Sequence, residues 1–324
     1  MSISDGLESM YNGMRVVAIP MDKGGVGKTT CANLLAWFAS SGYFPSVKKR
    51  VLGMDFDDQQ NFSSLYLDME RVEGFYSRFP PIHPTFNPED PEDVEWGGRS
   101  CSTDLYYGNP VEPYPTRLSN FEILPSDGLQ IKSFEDAERT ADQTLLEQIT
   151  EKLAEWMREP DVQARYDMII LDCPPGKNLI TAPILRACTD VILPTQMETF
   201  SIEGLLGVLA DIKEANMNRR VPINIAGIVP NMVDYRLSMH KANLEALQSN
   251  PKTGPYVIKT ALKSLSDFKL PATPIMTENA STLKKGSAAH RLALNFMDDI
   301  CNSMYGESVC IPTKSKKTDK GRVA

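Results

Sequence analysis

No apolar run in this 324-residue chain approaches the about eighteen residues of a membrane-crossing helix. The opening stretch MSISDGLESMYNGM lacks the basic and apolar pattern of a secretory signal. The six cysteines, at 31, 101, 173, 188, 301 and 310, form no C-x-x-C pair, which excludes a disulfide frame and a zinc ribbon and suits a reducing compartment. There is no internal repeat. Residues 304–324 hold few apolar side chains and are broken by Gly306, Pro312 and Gly321, so a membrane-binding amphipathic helix is not expected there. A cytoplasmic protein without membrane attachment is the expectation.

The hydrophobic content of 42% is that of an ordinary globular protein. The net charge of −8 is unevenly spread: from Arg219 onward the balance is +8, and before it −16. A basic C-terminal third on an acidic protein hints at a polyanion-facing surface. A solvated mixed surface with a basic tail, Lys314 to Arg322, is the plainer explanation of the same charges.

The strongest signal is Lys23-Gly24-Gly25-Val26-Gly27-Lys28-Thr29-Thr30. An apolar strand, Arg15 to Pro20, precedes it, and a helix beginning near Cys31 follows. Strand, glycine loop, lysine, hydroxyl and helix is the arrangement that holds nucleotide phosphates. Glycines let backbone N–H groups converge on an anion, and the helix N-terminus adds partial positive charge. The strict spacing G-x-x-x-x-G-K-[ST] would need glycine at position 22, where Asp22 stands. Lys28 is expected on the β- and γ-phosphates and Thr29 on Mg²⁺. Asp22 is expected to turn away from them. The extra lysine, Lys23, has no role in the generic loop.

Further apolar strands are expected at 50–56, 121–125, 166–172, 190–194 and 223–229. Helices are expected at 144–158, about 179–187, 201–215, 238–248 and 288–303. Their alternation predicts a doubly wound α/β fold, with a mostly parallel sheet covered by helices on both faces. Ligands then bind beyond the carboxyl ends of the strands. A single domain over 14–305 is expected, between an N-terminal segment 1–13 and a disordered basic tail 306–324. Residues 66–119 form an insertion. Eight prolines between 80 and 115 oppose helix and central strand, so irregular surface structure is expected, with its aromatics partly packed.

Asp172 ends one apolar strand, as a Mg²⁺-side carboxylate requires. Asp55 and Asp57 close another, and either could position or activate an attacking water; turn acids would look the same. Asn231, past the strand at 223–229, could read an adenine edge through its paired donor and acceptor, or simply shape a turn.

With these motifs in view the chain resembles the ParA/MinD-type ATPases, and ParA partition proteins most. The loop at 23–30 matches their deviant Walker A signature. Asp55-Phe-Asp57-Asp-Gln59-Gln-Asn61 is similar to the second motif, usually D-x-D-P-Q-x-N, with Asp58 replacing proline. Ile123 to Asp127, Tyr166 to Pro175, and Asp190 to Leu205 match later segments. The resemblance implies ATP and Mg²⁺ as cofactors and a homodimer with nucleotide between its subunits. It implies that Lys23 reaches the partner's phosphates, that Asp57 is the catalytic aspartate, and that Asp57, Asp172 and Thr29 surround the metal. It further implies sequence-independent DNA binding on the nucleoid, and hydrolysis stimulated by a ParB-like centromere-binding protein. Arg236, Lys259, Lys263, Lys284 and Lys285 are the candidates for DNA contact.

The chain departs from the family in three places. About 14 residues precede the first strand, so no helix-turn-helix extension is expected. The insertion is long and proline-rich. Near 274–286, Thr277 or Glu278 stands where an arginine is usual. Two rivals remain: a P-loop kinase or synthetase acting on a small molecule, which would have no use for Lys23, and the same ATPase moving another cargo, such as a conjugation complex, a microcompartment or a chemoreceptor cluster.

Overall fold

The computed structural model describes residues 10–71, 74, 77–138, 143–176, 180–217, 219–263 and 286–311. Strand β1 (Arg15–Met21) leads through the glycine loop into helix α1 (Lys28–Ser40). Strand β2 (Arg50–Asp55) and helix α2 (Asn61–Tyr66) come next. The insertion holds an antiparallel pair, β3 (Glu70–Arg71) and β4 (Arg78–Phe79), then helices α3 (Pro91–Trp96) and α4 (Asp104–Tyr107), and strand β5 (Tyr114–Pro115). Strand β6 (Phe121–Leu124) precedes helices α5 (Gly128–Glu138), α6 (Gln143–Met157) and α7 (Pro160–Arg165). Strand β7 (Tyr166–Pro175), helix α8 (Thr181–Ala187), strand β8 (Asp190–Gln196) and helix α9 (Thr199–Met217) alternate. Strand β9 (Asn224–Asn231) is followed by helices α10 (Ser238–Ser249) and α11 (Ala288–Tyr305).

The main sheet has the order β5-β6-β2-β7-β1-β8-β9 and is parallel except where β5 meets β6. Successive β1 residues serve opposite cores. Val16 and Ala18 pack on the side of α6, α8 and α9, while Val17 and Ile19 pack on the side of α1, α2 and α11. Strand side chains alternate between faces, so a sheet covered on both sides needs an unbroken apolar strand. Each such buried side chain contributes about 1.5–3 kcal/mol over its exposed state. The expected doubly wound fold is therefore the observed one.

Three expectations change. The proline-rich insertion is not uniformly irregular: Pro91 opens α3 at a position whose N–H would have no helical partner, and Asp90 caps that helix by accepting from the Glu92 N–H at 3.0 Å. Nor does it lie only at the surface, since His83, Cys101, Ser102 and Tyr114 are buried. Strand β7 continues through Cys173-Pro174-Pro175 instead of turning after Asp172, because the extended backbone that prolines favour still lets Pro175 align with Met21.

Candidate nucleotide site

The site assembles at the carboxyl ends of β1, β2, β7, β8 and β9. Gly25 and Gly27 take positive φ angles of 73° and 101°, which glycine adopts without strain. A Cβ on Gly27 would stand 2.2 Å from Asn231 Nδ2. That amide instead donates to the Val26 carbonyl at 2.7 Å, while its oxygen accepts from the Met232 N–H at 2.9 Å. Asn231 thus fastens the loop to the end of β9, with one N–H and one lone pair of its amide engaged within the chain. Gln196 at the end of β8 donates to the Gly25 carbonyl at 3.1 Å and is a second tether. Lys28 is buried at the start of α1, and Thr29 and Thr30 are half-buried behind it.

Asp22 turns away from the loop, as expected. Its carboxylate lies over α9, where a Cβ on Gly207 would be 3.0 Å from its Oδ2. The Lys23 ammonium lies at the rim, donating to Glu198 Oε2 at 2.8 Å and to Ser201 Oγ at 3.2 Å. The ion pair is exposed, and Lys23 holds the Glu198 carboxyl below its ordinary range. Neither Glu198 nor Ser201 stood out in the sequence; only their position just past an apolar strand end pointed to them.

The register sets Asp55 directly beside Asp172 on adjacent strands. Asp55 is fully buried, and both its oxygens are used: Oδ1 accepts from the Asp57 N–H at 3.0 Å, and Oδ2 from the Ser63 N–H at 2.8 Å and hydroxyl at 2.7 Å. It shapes the turn. Asp57 is 6% exposed and receives the Gln59 N–H on Oδ1 at 3.0 Å. The geometry therefore separates two aspartates that strand-end patterning left equivalent and of which the resemblance favoured Asp57. Asp172 is fully buried, and neither of its oxygens has a hydrogen-bond partner, although the nearby Thr29 hydroxyl favours its charged form.

Burial, and then repulsion by Asp55, push the Asp172 carboxyl well above the usual range. Burial also raises Asp57, partly offset by the Gln59 N–H and the Lys28 ammonium. A buried carboxylate with open lone pairs beside a hydroxyl and a lysine fits a hard divalent cation such as Mg²⁺. Among the described residues no cluster of three or more acidic, histidine or cysteine side chains could hold a metal ion. Bound Mg²⁺ would therefore draw on Thr29, Asp172 and phosphate oxygens instead of a cage of protein ligands.

The structure brings two of the DNA candidates, Arg236 and Lys263, near one another through Tyr235. Arg236 is exposed and paired with Asp234 at 2.7 Å, and Lys263 lies over the Tyr235 ring at 5.9 Å. Lys259 lines a cleft of about 410 Å³ between α11 and the opening residues of β9, away from the Asn231 end. Lys284 and Lys285 lie outside the described residues.

A family model described as an AAA domain matches residues 14–225. The chromosome-partitioning ATPase Soj of Thermus thermophilus is 29% identical over 224 residues, covering 69% of this chain and 71% of Soj. The ATP complex of a Cyanothece McdA variant superposes with a TM-score of 0.66 at 17% identity, over 93% of this chain and 99% of McdA. Cobyrinic acid a,c-diamide synthase from Mycobacterium smegmatis, solved with ADP and magnesium, gives a TM-score of 0.55 at 21% identity, over 93% of this chain and 99% of that one.

Proposed function

The chain belongs to the AAA domain family, as a ParA-type P-loop ATPase, and from that premise we propose that it is an ATP-dependent dimeric switch that binds DNA in its ATP state and drives partition of plasmid or chromosomal DNA. The observation that carries the reading is the second lysine: Lys23 sits at the rim of a complete phosphate loop, its charge balanced by the exposed Glu198 carboxylate. An exposed ion pair contributes little, about 0–1 kcal/mol, so a phosphate charge can draw the ammonium away from Glu198.

In this reading Lys28 and the loop N–H groups bind the β- and γ-phosphates, and Thr29 and Asp172 hold Mg²⁺, which neutralises developing charge when bound. Asp57, less buried than Asp55 and with one oxygen uncommitted to the turn, orients the attacking water. Lys23 leaves Glu198 for the phosphates of a second subunit. The exposed apolar residues Phe200, Met232, Tyr235, Leu237 and Met239, on segments that follow β8 and β9, suit burial against that subunit. Arg236, Lys259, Lys263, Lys284 and Lys285 supply candidate phosphate contacts, a ParB-like protein is the expected stimulator, and the nucleoid is the expected location.

The deciding experiment is retention on random-sequence DNA with ATP and with ADP. Retention with ATP alone, falling steeply as salt rises, is expected, because neutralised phosphates release counterions. Equal retention with both nucleotides, or none with either, would refute the switch. Turnover dependent on an added small acid or amine would favour a synthetase, the activity named for the M. smegmatis neighbour.

A further inference from the structure

We propose that the insertion fixes the catalytic turn, with Gln60 and Ser102 as positioning residues for Asp57. Asp57 to Gln60 is a tight turn closed by the Gln60 N–H donating to the Asp57 carbonyl at 3.0 Å. Gln60 holds φ = 57°, a left-handed conformation that side-chain-bearing residues adopt reluctantly. It is 2% exposed, and its amide is fully used. The amide oxygen accepts from the Arg78 N–H at 2.8 Å, and the amide nitrogen donates to the Arg78 carbonyl at 2.7 Å and the Ser126 carbonyl at 2.8 Å. One side chain therefore pairs with both backbone groups of an insertion residue, as a neighbouring strand would.

A second insertion residue holds the same turn from its other end. The Ser102 hydroxyl donates to the Asp55 carbonyl at 2.5 Å, and the Ser102 N–H donates to the Pro125 carbonyl at 2.8 Å. Outside the insertion, Ser126 supports the middle by donating to the Asp57 carbonyl at 2.8 Å. Gly128 allows the close packing, since a Cβ there would stand 3.0 Å from the Asp58 carbonyl and 3.3 Å from Gln60 Oε1. A strained backbone persists where its surroundings over-determine it. Here residues 66–119 supply three of the hydrogen bonds, two through Arg78 and one through Ser102.

The proposal rests on Asp57 as the hydrolytic aspartate, so Asp57→Ala is measured alongside. Gln60→Gly keeps the left-handed turn and deletes the clamp. Ser102→Ala deletes one hydroxyl, and Ser102→Thr restores it. For Gln60→Gly, kcat for ATP hydrolysis is expected to fall about tenfold or more, because small displacements of a reacting group are costly. ATP affinity and KM should stay near wild type. Ser102→Ala should fall in the same direction, and Ser102→Thr should recover. A merely structural role would lower Tm and leave kcat unchanged well below it. Wild-type turnover in Asp57→Ala overturns the reading of Asp57 and the proposal with it. Lost turnover there, with wild-type kcat in Gln60→Gly and Ser102→Ala, overturns the proposal alone. If Gln60→Gly fails to fold, the two Ser102 variants decide.

Discussion

At the scale of single residues, Asp172 stands in electrostatic conflict with its surroundings. Its two carboxylate oxygens are buried without hydrogen-bond partners, and Asp55 faces it from the next strand. Its folded-state proton affinity is raised above the unfolded carboxylate value of about 3.9. The folded state then binds more protons than the unfolded state as pH rises past that value, so stability falls with rising pH. Nucleotide-free protein is expected to melt higher at pH 5.5 than at pH 7.5. Asp172→Asn should flatten that dependence and raise Tm at pH 7.5 by about 1–2 °C for each kcal/mol regained. Thermal melts across pH without Mg²⁺ check this; an Asn variant that melts lower at pH 7.5 refutes it. The sequence made Lys28, Thr29 and Asp172 legible, because a phosphate loop and a strand-end acid are local patterns. Strand-end patterning could not rank Asp55 against Asp57, which only the family resemblance favoured, because Ser63 and Ser102, which consume the bonding capacity around Asp55, come from other elements.

At the scale of elements, the phosphate loop depends on strands that are remote in sequence. The end of β9 holds it through Asn231 and the Val26 carbonyl, and the end of β8 through Gln196 and the Gly25 carbonyl. Asn231→Ala leaves a buried carbonyl without its donor, at a cost of about 1–3 kcal/mol. The fold should survive, because the variant touches neither apolar core, while affinity for a non-hydrolysed ATP analogue should drop about tenfold. Titration calorimetry decides, and unchanged affinity would dismiss the tether. Periodicity gave the longer helices and the parallel strands to within a few residues. It missed α2, α5, α7 and the short helices of the insertion; α3 and α7 open with Pro91 and Pro160, since proline opens a helix as readily as it ends one.

For the whole molecule, the decisive property is whether ATP joins two copies. Lys23→Ala should retain ATP but remain a monomer, whereas the unaltered chain with ATP and Mg²⁺ should double its mass. Light scattering reads this directly, and a normal dimer in the variant removes the cross-subunit role. The ion pair with Glu198 makes the prediction specific: it parks Lys23 within its own subunit until a stronger anion competes. Arg236 and Lys263 lie near one another through Tyr235, so a DNA surface would start from the segments that follow β9.

By itself the sequence determined the fold class and the phosphate loop, because apolar strands, glycine spacing and helix starts are written in neighbouring residues. It determined that an acid at the end of a strand would face that loop. Tertiary structure alone decided which aspartate has its oxygens engaged in the turn, what Asn231 holds, and where Lys23 rests. It also decided that the proline-rich insertion reaches under the turn carrying Asp57. Most of these depend on hydrogen bonds between groups tens to hundreds of residues apart, such as Val26 and Asn231, which are 205 positions apart. Only the packed sheet brings such groups within bonding distance.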